Sequence, residues 1–213
     1  MTDGPAVAQM LQAWFSPGYP VGAFAYSHGL EWVIEAGEVA DADALDAWIR
    51  VCLTEGSGWN DAILLSHGAR GYEMEELSQL SDALSAGAER LQEARDLGHA
   101  FARVTTEAWG RPVGSAPYAV AVGAAARAHG VDAHAILPLY LHAFAANLVS
   151  VAVRLVPLGQ TDGQRVLARL APVISETAHA AADARLDDLG GMAQRADLAA
   201  LHHETQTVRL YRT

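Results

Sequence analysis

The chain has 213 residues and a mass of 22.5 kDa, 51% of it hydrophobic and only 18% charged, which suffices for one sizeable core and points to a single domain. Its formal net charge of -11, from 14 basic and 25 acidic side chains, opposes the neutralisation of phosphates on which nucleic-acid binding rests. Every basic side chain is arginine, so the chain by itself builds neither a phosphate loop with its lysine nor a Schiff-base lysine nucleophile.

The amino-terminal stretch Met1 to Phe15 lacks the positive start and small-residue cleavage site of a signal peptide, and a cytoplasmic address is expected. Val7, Met10, Leu11 and Trp14 recur at helical spacing and predict a first helix that ends where Pro17 and Pro20 remove backbone donors. Ser27 is placed to cap a second helix bearing Leu30, Val33 and Ile34, with Gly37 after its last turn. Asp41 or Asp43 caps a third, with Leu45, Trp48, Ile49 and Cys52 on one stripe and an interruption expected near Gly56 to Gly58. Cys52, the single cysteine, forms no internal disulfide and reads as a buried core thiol.

Met74, Leu77, Leu80 and Leu84 make another apolar stripe, and Leu91, Ala94, Leu97, Phe101, Val104 and Ala108 a longer one, closed by Trp109 to Pro112. The alanine-rich segment Pro117 to Gly130 carries Gly123 inside a helix, a sign of close approach by a neighbour. Ala135 to Val153 has the length of a membrane span, but His142, Asn147 and Ser150 are costly in lipid, and a helix buried on all sides of a bundle is expected instead. Thr161 and Gln164 fit a capping box that starts the next helix, which Pro172 should kink or split. No strand alternation precedes the end of the chain. The fold expected is an all-α, single-domain helical bundle, residues 1–200, followed by a flexible C-terminal tail, residues 201–213, for binding a partner.

Three chemical readings compete. Ala25 to Gly29 approaches the G-x-S-x-G nucleophile elbow, which would make Ser27 the nucleophile of a serine hydrolase, but the strand and sheet that the elbow requires are not predicted. Glu176 with His179, and Asp96 with His99, imitate the two E-x-x-H halves of a dimetal-carboxylate helical bundle, with a short carboxylate in the second. His202, His203 and Glu204 offer imidazole and carboxylate to a divalent ion such as nickel, although adjacent side chains on a helix diverge, so His202 and His203 are weak metal candidates only. His67, His129, His134 and His142 read as capped, solvated or satisfied core imidazoles. The tail mixes Arg and Tyr, residues that anchor interfaces.

Three blocks together resemble the urease accessory protein UreF family: Pro20 to Glu31, Asn147 to Asp162, and His203 to Gln206 with Arg209 to Arg212. The resemblance implies an all-α, usually dimeric cytoplasmic protein with no catalytic site, a scaffold for nickel insertion into apo-urease. It implies binding to UreD (also called UreH) and then to the GTPase UreG, which would hold the GTP and whose hydrolysis the scaffold would position or gate. No intrinsic cofactor is implied; nickel would pass through the complex, by a route the sequence does not assign. Partner-facing surfaces or braces are then expected at Tyr19, Pro20, Gly22, Phe24, Tyr26, His28, Glu31, Arg154, Gln160 and Asp162, and in the tail at His203, Glu204, Gln206, Arg209, Tyr211 and Arg212. Ser27 becomes a cap, and any partner-facing role that relatives give to lysine falls to arginine or is absent.

Overall fold

A computed structural model describes residues 4–213, and among them every regular element is helical. In chain order the helices are α1 (Gly4–Trp14), α2 (Leu30–Glu35), α3 (Ala42–Thr54), α4 (Ser57–Arg70), α5 (Met74–Ala83), α6 (Ala88–Trp109), α7 (Tyr118–His129), α8 (Ala133–Leu155), α9 (Gln160–Asp183) and α10 (Gln194–His203). Single 3-10 turns lie at Ala23–Ala25 and Leu186–Asp188. The Asp41 carboxylate accepts the amides of Asp43 and Ala44 at 3.0 and 2.9 Å, which satisfies donors that the first turn of α3 leaves free.

The α4–α7 crossing and the α8–α9 pair carry the most extensive packing, with α3 laid on α9 and α6 on α7. Gly123 of α7 faces Gly68 of α4 so closely that a Cβ on Gly123 would stand 2.4 Å from the Leu65 carbonyl oxygen, the close approach that a glycine inside an alanine-rich helix predicts. Trp14 and Phe101, both fully buried, meet edge to face at 5.4 Å and join α1 to α6. The third predicted helix divides into α3 and α4 around Gly56, and Cys52 is buried; burial pushes its thiol up to about 12.

Four expectations are corrected. The box at Thr161 does not form: the cap lies two residues earlier, at Gly159, which offers no side chain, and α9 begins at Gln160. Of the two outcomes expected at Pro172 the split does not occur: α9 continues to Asp183, and α8 likewise runs through Pro138, each ring removing one ladder donor. Gly29, not Ser27, is the N-cap of α2, although the Ser27 hydroxyl still accepts the Glu31 amide at 3.3 Å. Although long and apolar enough to cross a membrane, α8 packs against α9, α4, α2 and α3; rather than being buried on all sides, it keeps Leu139, His142 and Ser150 exposed.

Candidate docking surface and internal cavity

The first and third motif blocks meet. After α10 ends at His203, the irregular tail turns back along the loop that precedes α2. The Arg212 amide donates to the Ala25 carbonyl at 2.8 Å, and the Ser27 amide donates to the Thr213 carbonyl at 2.6 Å, joined there by the Ser27 hydroxyl. Glu31 is the clamp. Its buried carboxylate accepts the amides of Leu210 at 2.6 Å and Tyr211 at 3.0 Å, and faces His203 Nε2 at 3.0 Å. His203 is fully buried, with Nδ1 3.3 Å from Glu89, so that its two ring nitrogens face two carboxylates. Arg209 also pairs with Glu89, and Glu204 accepts the Glu89 amide at 3.0 Å.

The loop is shaped to receive the tail. His28 (φ 56°) and Gly29 (φ 76°) are successive left-handed residues, a conformation that costs a non-glycine residue about 1 kcal/mol. A Cβ on Gly29 would meet the Ala200 amide nitrogen at 2.6 Å, so the loop lies flat on α10. His28 is held by Glu93 of α6, its Nε2 2.9 Å from the carboxylate. Tyr19 bonds Thr105 at 2.7 Å, and the Tyr26 carbonyl accepts from Asn147 of the middle block at 3.0 Å.

The sequence-predicted residues thus divide by burial. Tyr26, Glu31, His203 and Tyr211 are buried braces; Pro20, Phe24, Arg209 and Arg212 face outward, and Tyr19, Gly22, His28, Glu204 and Gln206 lie between. Phe24, Val208 and Leu210 stand out as large apolar groups, 67%, 81% and 77% exposed. Arg154 reaches the clamp through Tyr211 Oη at 3.5 Å, whereas Gln160 is exposed at the start of α9 and Asp162 pairs with Arg165 on that helix.

Both enzyme-like alternatives lose their geometry. Ser27 is fully buried and spends its hydroxyl on the Thr213 carbonyl, with no sheet among the described residues. Asp96, His99, Glu176 and His179 all point to solvent, where a dimetal bundle needs them inward. Among the described residues no three His, Cys, Asp or Glu side chains stand together as a preformed metal site, and His202 turns away from His203 to stack on Trp32 at 4.6 Å.

Beside the clamp lies a cavity of about 220 Å3, whose lining reaches from Ala23 and Asn147 to Glu55 and Asp197. Its wall is more apolar than polar, with a charged cluster set in it: Glu55, Asp61, Glu93 and Asp197 line it together with Arg90 and His28. Glu93 is 2% exposed; burial alone would raise its carboxyl, but the Arg90 guanidinium, His28 and the Thr213 hydroxyl outweigh burial and hold it at about 2. Asp61 goes the other way, raised by burial, while its Oδ2 accepts the Tyr140 hydroxyl at 2.8 Å. Sequence reading missed Arg90, Glu93, Asp61 and Tyr140. A signal was present for one of them, since Glu93 stands in i, i+4 register with the buried Leu97 and Phe101.

Residues 39–171 match the family model described as UreF. The chain is 52% identical over 203 residues to the urease accessory protein UreF of Cereibacter sphaeroides, covering 95% of this chain and 97% of the relative. The chain belongs to the UreF family. The proteins of the same name in Roseobacter denitrificans, 49% identical with 95% and 92% coverage, and in a Bradyrhizobium species, 44% identical with 99% and 93% coverage, match along the same span. The all-α fold that the resemblance implied is the fold observed.

Proposed function

We propose that this chain is a non-catalytic scaffold of urease maturation, which binds a UreD/UreH-type protein through the tail and opening loop, recruits the GTPase UreG, and presents both to apo-urease for nickel insertion. Family membership supports the class of function. The observation that carries the docking surface is the exposure of Phe24, Val208 and Leu210 on two segments that are themselves fixed by buried bonds. Rigid apolar side chains on a polar frame supply affinity without the entropy cost of ordering a loop. GTP belongs to UreG, since a chain without lysine cannot build the phosphate loop, and the assembly is read as containing two copies of this chain.

Nickel is the cargo, and the cavity is the passage this chain offers it. Glu55, Asp61, Glu93 and Asp197 in its lining, beside Arg90 and His28, are the groups such a cation would meet.

Two measurements test the proposal. Cells lacking this gene should yield full-length urease without nickel, restored by the gene at equal nickel supply; nickel-loaded urease in the deletion overturns the role. Replacing Phe24, Val208 and Leu210 with Asp should abolish co-purification of the UreD/UreH-type partner with helix content unchanged, and retained binding removes the tail face as the dock.

A further inference from the structure

The segment between α9 and α10 closes one side of the cavity with little more than backbone. After the 3-10 turn at Leu186–Asp188 the chain runs through Leu189, Gly190, Gly191 and Met192 before Ala193 caps α10. Gly190 and Gly191 line the cavity, as do Glu55 and Asn60. Both glycines hold backbone angles that side chains rarely adopt, φ 117° and 140°. A Cβ at Gly190 would meet nothing within 4 Å, so glycine serves there for its conformation alone; a Cβ at Gly191 would overlap the Glu55 carbonyl oxygen, so this residue lies flat on the end of α3. Apolar anchoring is slight, since Met192 is 74% exposed and Ala193 is the one buried residue of this strap. Two bonds tie the strap to α4: the Gly190 amide donates to Asn60 Oδ1 at 2.9 Å, and the Trp59 indole N–H donates to the Asp188 carbonyl at 2.9 Å.

We propose that Leu189–Met192 is a lid on the cavity, hinged at Gly190 and Gly191 and latched to α4 by Asn60 and Trp59, and that its opening admits solutes larger than water. A segment with few buried apolar contacts opens at a free energy well below that of global unfolding. The two glycines absorb the change in backbone angles while the turn before them and α10 after them stay in place. The lid shares no bond with the tail clamp, so access to the cavity is set apart from docking. The chain carries its own witness to that access. Cys52, its single cysteine, belongs to the same lining and is 3% exposed. Burial pushes its thiol up to about 12, and the thiolate is the reactive form, so Cys52 is silent while the lid is shut and reacts once water and reagent reach it.

The test labels Cys52 in the full-length folded chain with two neutral reagents of different size, methyl methanethiosulfonate and 4,4'-dithiodipyridine. In each, the Cys52 thiolate attacks sulfur, a mixed disulfide forms, and methanesulfinate or pyridinethiolate leaves. Asn60→Ala and Trp59→Phe each delete one latch bond and should speed labelling by the larger reagent about tenfold, with helix content and urea midpoint close to the parent's. Gly191→Ala sets a Cβ into the Glu55 carbonyl, should unseat the lid with the largest gain, and serves if a latch variant does not fold. The smaller reagent should gain less in all three, because it needs a narrower opening. Urea below the unfolding transition should leave the parent's labelling rate unchanged, since a local opening exposes little surface. Three results overturn the lid: labelling at the parent's rate in every variant, equal acceleration of both reagents, or a parent rate that climbs with urea in step with global unfolding.

Discussion

The α4–α7 crossing and the tail clamp are both tight, and they are tight for opposite reasons. At the crossing, Gly68 and Gly123 remove side chains so that two backbones touch, and contact is shape alone. At the clamp, Glu31, Glu93 and His203 are buried and held by directed bonds to residues more than 100 positions away, and Arg90 pairs with Glu93 one turn along α6. Apolar packing of this kind opens only when the domain unfolds. A network of buried polar groups is held bond by bond, and each bond broken leaves another group unsatisfied. The contrast marks the crossing as frame and leads us to expect that the clamp is the part that moves first.

The largest effect should come from breaking the frame. Gly123→Val places a branched side chain where even a Cβ meets the Leu65 carbonyl oxygen at 2.4 Å, and overpacking at backbone should cost about 3 kcal/mol or more. Urea denaturation should show a lowered midpoint for the whole chain, with every probe moving together; a variant as stable as the parent would mean that the crossing relaxes freely. Glu31→Ala should instead act locally. Removing the acceptor of two amides and one of the two carboxylates at His203 costs about 1–3 kcal/mol per group left unsatisfied. Hydrogen exchange should then accelerate at Leu210 and Tyr211 while α4 and α7 keep their protection. Uniform acceleration across the chain would erase the distinction between frame and moving part.

The clamp also carries a pH signature that the frame lacks. Glu93 sits at about 2 in the folded chain against an ordinary 4.5, so its contribution to stability is complete above 4.5 and is lost as pH falls toward 2. A depression of that size corresponds to about 3 kcal/mol. Asp61 has the opposite sign: its raised carboxyl makes it a cost that grows as pH climbs through its folded value. Stability measured from pH 5 to pH 2 should therefore fall steeply in the parent and much less in Glu93→Gln, and parallel curves would show that Glu93 does not hold its charge in the folded state.

What was legible in the sequence follows the same division. Helix spacing, the Asp41 cap and the close approach at Gly123 are local or periodic signals, and the structure bears them out. The clamp depends on pairs such as Glu31 with Tyr211 and Glu93 with Thr213, whose spacing of 180 and 120 residues leaves no periodic trace. The motif blocks named its two ends through a family resemblance, not through physics. Arg90 and Glu93 escaped notice because a helix surface pair at i, i+3 is commonplace, and only the neighbouring apolar register showed that this pair faces inward. The failed box at Thr161 teaches the converse. Glycine is itself a tolerated cap and water can meet the free amides of an exposed first turn, so the cap could move two residues upstream to Gly159 with little loss.

The smallest expected effect is the most discriminating control. Asp41→Ala removes two amide bonds at the start of α3, both at an exposed helix end, and should cost about 1 kcal/mol. That loss is similar in size to loosening one bond of the clamp, yet α3 belongs to the frame through its packing on α9 and α4. If the clamp is releasable because its bonds are polar, Asp41→Ala, which also deletes polar bonds, should fray only the first turn of α3. If the caps of packed helices are instead coupled to the core, Asp41→Ala should lower the melting temperature of the whole chain and leave exchange at Leu210 and Tyr211 unchanged. The second outcome is expected, since the buried Leu45, Ile49 and Leu53 tie α3 into the core and pass a loss at its cap to everything packed upon it.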